Sequence, residues 1–231
     1  MSATPRTRPE KSTLSLDAIV TTTLALVDEL GYAAVSMRRV AQALETGPAS
    51  LYVYVRDRHE LMSLTYDLAI AEVVLPVESD GDWRARLELL VDRIVAALGS
   101  HDDIASIGLS DVPTGPQSLR VTEELLRLLR AGGIDDAACA WAADLFGQYI
   151  SSSALEIAAR LRAQRATDPA HASEAAMAAA MSAHLDAVYR GLPADTHPTI
   201  HALAPLLTGG EGGKRAAWKL RVILDGLLAQ G

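Results

Sequence analysis

The sequence predicts an all-α protein. Apolar residues recur at helical spacing through most of its 231 residues, no stretch alternates β-branched with polar side chains, and residues 36–58 read as two short helices broken by a tight turn. Each element follows from local chemistry. Leu16, Ile19, Val20, Leu24, Val27 and Leu30 form one face of a first helix, capped by Ser15 and ended at Gly31. Met37, Val40, Ala41 and Leu44 mark a second, with Ser36 placed to accept an orphan N–H of its first turn. Gly47 is expected to permit the turn that follows. Pro48, whose missing N–H has no intrahelical partner at a first position, is expected to open a helix reaching Tyr54. Leu51 and Val55, four apart, then face inward and leave Gly47, Pro48, Ala49, Ser50, Val53 and Tyr54 outward.

Two helices in this relation form a helix-turn-helix, which makes double-stranded DNA the first partner to consider. The candidate contacts are Ser36, Arg38, Gly47, Pro48, Ala49, Ser50, Tyr52, Tyr54 and Arg58. Their chemistry suits DNA, because a guanidinium pairs with guanine O6 and N7 and tyrosine hydroxyls hold phosphate oxygens.

Four ordered blocks carry a resemblance. They are Ala25-Leu26-Val27-Asp28-Glu29-Leu30-Gly31-Tyr32, Ser36-Met37-Arg38-Arg39-Val40-Ala41, Ala49-Ser50-Leu51-Tyr52-Val53-Tyr54-Val55 and Arg58-His59-Glu60-Leu61. Together they resemble the DNA-binding domain of the tetracycline-repressor (TetR) family of transcriptional regulators. The resemblance implies an all-α fold, with three head helices and a fourth that carries motion from a ligand domain. By position it makes Arg38 a reader of base edges, turns Ser50 and Tyr54 to the groove, and gives Tyr52 and Arg58 to phosphates. Two residues depart from the pattern: Pro48 replaces an amide or polar side chain, and Val53 replaces a bulky aromatic, so the operator sequence does not transfer. The string Trp218-Lys219-Leu220-Arg221-Val222-Ile223-Leu224-Asp225-Gly226-Leu227-Leu228 is similar to the last helix of the branch that contains the tetracycline repressor itself. The histidine with which that branch holds a metal chelate is matched here by Val74, so tetracycline is not implied.

Charge divides the chain. Residues 1–60 hold seven Lys or Arg against seven Asp or Glu, and residues 61–231 hold fourteen against twenty-two, so the net charge of −8 lies in the body. An acidic protein is a poor nonspecific ligand of nucleic acid, whose affinity comes from cations that displace counterions. A specific dimer with a few well-placed cations is compatible with that balance. The expected organisation is a flexible arm (1–12, carrying Arg6, Arg8 and Lys11), a DNA-binding head (13–60) and a helical effector-binding and dimerisation body (61–231). The arm is read either as a backbone or minor-groove contact or as a plain disordered tail.

In the body, Leu61, Leu64, Leu68 and Ala71 mark a connecting helix over 58–75, stopping before Pro76. Trp83, Leu87, Leu90, Val91, Ile94 and Leu98 mark the next; others are expected over 119–130, 135–166 and 173–189. The segment 191–213, with three prolines and five glycines, reads as a long loop that could gate a pocket, with a short apolar piece at 200–207. A final helix is expected over 214–229. By the resemblance, 135–166 and 214–229 are the homodimer elements, and a twofold pair has its own motive in reading a palindrome.

A helical body with a candidate lid invites a small effector, high apolar content with a single Phe favours a hydrophobic one, and the resemblance implies release from DNA when it binds. The candidate ligand residues are polar or adaptable side chains among apolar ones: His101, Gln117, Gln148, Tyr149, Ser152, Ser153, Met177, Met181 and His184. Core packing is the competing reading for the methionines.

No nucleophile with a base, HExxH pair, phosphate loop or cofactor motif is visible, so no enzyme, metal site or cofactor is expected. His197 and His201 are four apart, but Pro198 between them argues against an ordinary helix. Cys139, the single cysteine, sits among Ala137, Ala138, Ala140 and Trp141 and reads as a small buried residue. With no leader and no apolar run of about 18 residues, the expected location is the cytoplasm, without membrane contact. The alternative reading is a helical module that sequesters a ligand or partner protein without acting on DNA.

Overall fold

The computed structural model describes residues 14–166, 174–209 and 212–229, so the expected arm lies outside the described residues. Among them there are eleven α-helices and no strand, and no helix is long and apolar enough to cross a membrane.

The head holds α1 (Leu16–Leu30), α2 (Met37–Ala43) and α3 (Pro48–Leu51). Ser15 and Ser36 cap as their positions suggested, accepting from Ala18 N at 3.1 Å and Arg39 N at 3.3 Å. Gly31 ends α1 at φ 83°, with its N–H on Val27 O. Ile19, Val27, Val40, Leu51 and Val55 close the small core.

The turn departs from expectation. Glu45, not Gly47, takes the left-handed conformation (φ 52°), while Gly47 is extended at φ −82°, ψ 146°. The helix opened by Pro48 is also shorter than its apolar pattern implied. It ends at Leu51, whose carbonyl accepts from both Tyr54 N and Val55 N, so the last turn tightens.

The connecting helix, α4 (Arg58–Ala69), stops six residues before the expected end. Past it the carbonyls that a helix would satisfy are taken by arginines from the body: Arg120 Nη2 donates to Ala71 O (3.3 Å) and Val73 O (2.9 Å), and Arg93 Nη1 to Val74 O (2.8 Å). Those donors let residues 73–76 run extended.

The body continues with α5 (Trp83–Gly99), α6 (Ile107–Ser110), α7 (Pro116–Ala131) and the long α8 (Asp136–Ala166). Asp82 caps α5 through Ala85 N (2.9 Å), and Asp135 caps α8 through Ala138 N (3.1 Å). α5 packs on α7 and α8, and α1 on α4. Leu87, Leu90, Leu98, Leu128, Leu129 and Phe146 are fully buried between them; trimming one to alanine costs about 2–5 kcal/mol. Cys139 is buried there too, where burial pushes its thiol pKa up.

Three helices complete the chain: α9 (Glu174–Gly191), α10 (Pro198–Thr208) and α11 (Gly212–Leu228). α10 overturns the reading of 191–213 as one long loop. Pro198 occupies its first position, where a missing N–H costs nothing, so it starts a helix between His197 and His201. The far end is held by side chains: Thr208 Oγ1 donates to Ala204 O (2.9 Å), and Arg215 of α11 donates to Leu206 O, Leu207 O and Gly209 O at 2.6–3.0 Å. α10 lies on α9.

Candidate functional site

The head presents a small outward surface. Arg38 is exposed on α2 and makes no hydrogen bond or ion pair among the described residues. Its neighbour Arg39 turns back to Ala34 O at 2.6 Å. Gly47, Pro48 and Ala49 are exposed and Ser50 half-buried. A Cβ on Gly47 would meet nothing within 4 Å, so the protein itself does not demand glycine there. Tyr52 and Val53 stand out at 54% and 81% exposure. Tyr54 is exposed, but its hydroxyl donates to Leu14 O at 2.7 Å and ties α3 to the start of α1.

Arg58, the expected phosphate contact, is half-buried and engages the head itself. Its Nε donates to Val35 O (2.8 Å), Nη2 to Tyr32 O (2.8 Å) and Nη1 to Tyr32 Oη (3.4 Å), with the guanidinium 4.7 Å from the Tyr32 ring centre. In the short 3-10 turn between α1 and α2, Tyr32 O accepts only a long bond from Val35 N (3.4 Å), and the fork of Arg58 supplies further donors to it and to Val35 O. Arg58 therefore positions the helix-turn-helix from the first residue of α4.

Polar contacts fasten the connecting helix to the body at Asp67 and join head to body at Asp28 and His59. Asp67 of α4 is buried and accepts from Gln117 N (3.2 Å), Ser118 N (2.8 Å) and Ser118 Oγ (2.9 Å), so its carboxylate caps α7. A Cβ on Gly115 would overlap that carboxyl group. Asp28 of α1 meets His101 Nδ1 at 3.0 Å, beside Asp102, which accepts from Arg162 Nε at 2.7 Å. His59 Nε2 and Asp111 Oδ2 are 2.8 Å apart.

The body encloses a cavity of about 90 Å³ bordered by α4 (Tyr66, Ile70), α5 (Ile94), α6 (Gly108), α7 (Ser118, Val121, Leu125) and α8 (Gly147, Ile150, Ser151). Every residue bordering it is uncharged. Burial, and the Asp67 carboxylate beside it, push the Tyr66 phenol up to about 12, so it is a neutral hydroxyl.

None of the sequence's candidate ligand residues whose side chains are described borders this cavity. His101 lies at the head–body junction, and Gln117 Oε1 accepts from Arg120 Nε at 2.9 Å. Gln148, Tyr149 and Ser152 instead line an open groove of about 620 Å³ with Leu109, Leu145, Trp218 and Val222. All three have internal partners: Asp144, Ala216 O and Tyr149 O. His184 is exposed on α9. The side chains of Met177 and Met181 lie outside the described residues. Residues next to the expected ones, Ser118 and Ser151, do line the cavity. A polar side chain between apolar ones gave the only signal for Ser151, and it did not separate that residue from Ser152.

Fold and site together are those of a helix-turn-helix head joined to a helical body that holds a cavity. Residues 75–230 match the "Tetracyclin repressor-like, C-terminal domain" family, and the chain belongs to the tetracycline-repressor-like (TetR) family. It is 32% identical over 161 residues, 69% of this chain and 60% of the relative, to the HTH-type transcriptional repressor DrrR1 of Streptomyces coeruleorubidus. It thus spans about three fifths of that repressor's length. Among solved structures it is similar to the TetR family protein ActR of Streptomyces coelicolor in complex with (S)-DNPA, with TM-score 0.78 and 32% identity over 95% of this chain and 100% of that one. ActR in complex with actinorhodin gives the same TM-score and identity over 95% and 99%.

Proposed function

We propose that the protein is a homodimeric, ligand-responsive transcriptional repressor that binds a palindromic operator in the cytoplasm and is released by a small, largely hydrophobic effector. One observation carries this reading: α4 serves both ends of the molecule. Its first residue, Arg58, holds the connection that leads from α1 into the helix-turn-helix, and Tyr66 and Ile70 at its other end border the cavity. A cavity of about 90 Å³ is well below the roughly 300–1,000 Å³ of sites for drug-sized molecules. Full occupancy therefore displaces a wall, and α4 is one of the walls. Moving it shifts the head and the spacing of the two recognition helices, which fit successive major grooves at one separation.

In this reading Arg38 reads a base edge, Tyr52 contacts phosphate, and Ser36, Gly47, Pro48, Ala49, Ser50 and Tyr54 shape the approach. The dimer forms through 135–166 and 214–229, a proposal supported by the apolar surface those helices leave open: Trp141 and Trp218 are 74% and 61% exposed, with Leu145 and Val222 alongside. Likeness to a regulator bound to actinorhodin supports an organic effector of natural-product type.

The test is selection of operator sites from a random DNA pool, followed by screening compounds for release of the selected duplex. An inverted repeat released by a compound that protects cavity amides from hydrogen exchange supports the reading. Release by compounds that leave the cavity untouched would remove it as the effector site.

A further inference from the structure

Two hydroxyl groups face the cavity without partners. Tyr66 is 6% exposed and Ser151 1% exposed, and neither hydroxyl has a hydrogen-bond partner among the described residues. Both oxygens keep open surface where they border the cavity, since no partnerless buried side-chain N or O is sealed off among the described residues. Other hydroxyls in the fold do find partners. Thr23 and Thr65 bond back to carbonyls of their own helices at 2.7 and 2.8 Å, and Ser118 bonds to Asp67.

The two free hydroxyls converge on one point. A Cβ built on Gly108 of α6 would stand 2.5 Å from Ser151 Oγ and 3.4 Å from Tyr66 Oη. Gly108 thus keeps open the corner where α4 and α8 present them. Apolar side chains, Ile70, Ile94, Val121, Leu125 and Ile150, make much of the remaining wall. Neither hydroxyl has a partner among the described residues, so this corner favours a ligand atom that completes both bonds. With no cation on the lining, a carboxylate would enter desolvated and uncompensated.

We infer that Tyr66, Ser151 and Gly108 form a specificity subsite for a neutral oxygen function, a ring-borne hydroxyl or carbonyl, on an otherwise apolar effector. This rests on the cavity being the effector site. Because Tyr66 precedes Asp67, the residue that fastens α4 to α7, an effector held there pulls on α4 at its attachment to the body.

The test uses the full chain and three one-ring probes: benzene, phenol and benzoate. A single ring is the smallest suitable probe: benzene fills an engineered apolar cavity of about 150 Å³, so its binding here requires the cavity of about 90 Å³ to widen. Binding is followed by NMR titration, with thermal melts confirming that each variant is folded. The expected result is that phenol binds about tenfold or more tighter than benzene, a difference of one to two hydrogen bonds, and that benzoate does not bind. Tyr66→Phe and Ser151→Ala should each remove most of the preference for phenol while leaving benzene affinity within about threefold. Gly108→Ala, which fills the corner, should abolish the preference. Equal binding of phenol and benzene by the wild-type chain, or a preference that survives both hydroxyl deletions, would overturn the subsite and leave the cavity as an effector site. If neither neutral probe binds saturably, the cavity reading fails and the subsite with it.

Discussion

Arg38 and Arg58 have the same chemistry and opposite employment. Arg38 projects from α2 with its donors unspent among the described residues, whereas Arg58 spends its own on Tyr32 and Val35. Arg38→Ala should weaken operator binding by about 1–3 kcal/mol and relax preference at one base pair per half-site. Binding to a panel of single-base operator variants checks this; an unchanged preference profile would remove Arg38 from base reading. Arg58→Ala should lower the stability of the head by about 1–3 kcal/mol, because Val35 O loses its donor and Tyr32 O keeps only the long bond from Val35 N, with DNA affinity falling as a consequence. Arg58→Lys should fail to rescue it, since an ammonium lacks the planar fork. A variant with an unaltered melting curve but weak DNA binding would restore the phosphate role. Tyr66 gives a pH signature. Its pKa, raised from 10.0 to about 12 in the fold, means the unfolded chain loses the phenolic proton first. Its stabilising contribution is therefore full below about pH 10 and is lost as pH rises towards 12, up to roughly 3 kcal/mol. Tyr66→Phe should flatten that part of the alkaline denaturation curve; an identical slope in both proteins would contradict the burial of the phenol.

At the scale of elements, local signals were legible and side-chain-dependent ends were not. Ser15, Ser36 and Gly31 mark helix boundaries through bonds spanning three or four residues, so α1 and α2 could be read directly. The end of α4 and the presence of α10 depend on Arg93, Arg120 and Arg215, whose guanidiniums reach carbonyls on other elements. Periodicity carries no information about such donors. The ligand cavity was illegible for a related reason. A polar residue flanked by apolar ones looks like a ligand contact in sequence, yet Gln148 and Ser152 satisfy themselves on their own helix, while Tyr66, outside the apolar stripe of its helix, and Ser151 are the buried ones. The clamp between α4 and α7 makes its own prediction. Asp67→Asn keeps the size of the side chain but removes the charge on the α7 N-terminus and replaces one acceptor with a donor, and should cost about 1–3 kcal/mol. Urea denaturation measures it; a loss below about 0.5 kcal/mol would mean that the buried carboxylate does not fasten the two helices.

For the whole molecule, a net charge of −8 and a head with balanced charge leave little nonspecific attraction to DNA. In the proposed dimer, affinity comes from two heads held at one spacing. The same proposal makes release simple, because a modest shift of α4 in each protomer would remove one head from its groove. The measurement that bears most directly on this mechanism is selection of sites from a random DNA pool by the purified protein, with affinity for the winning sequence compared at about 50 and about 200 mM salt. The expected result is an enriched inverted repeat, bound by a dimer, with affinity falling about tenfold or more across that range as phosphate contacts are screened. A folded, dimeric protein that enriches no sequence, or whose DNA binding is indifferent to salt, would contradict it and favour a helical module that binds ligands without acting on DNA.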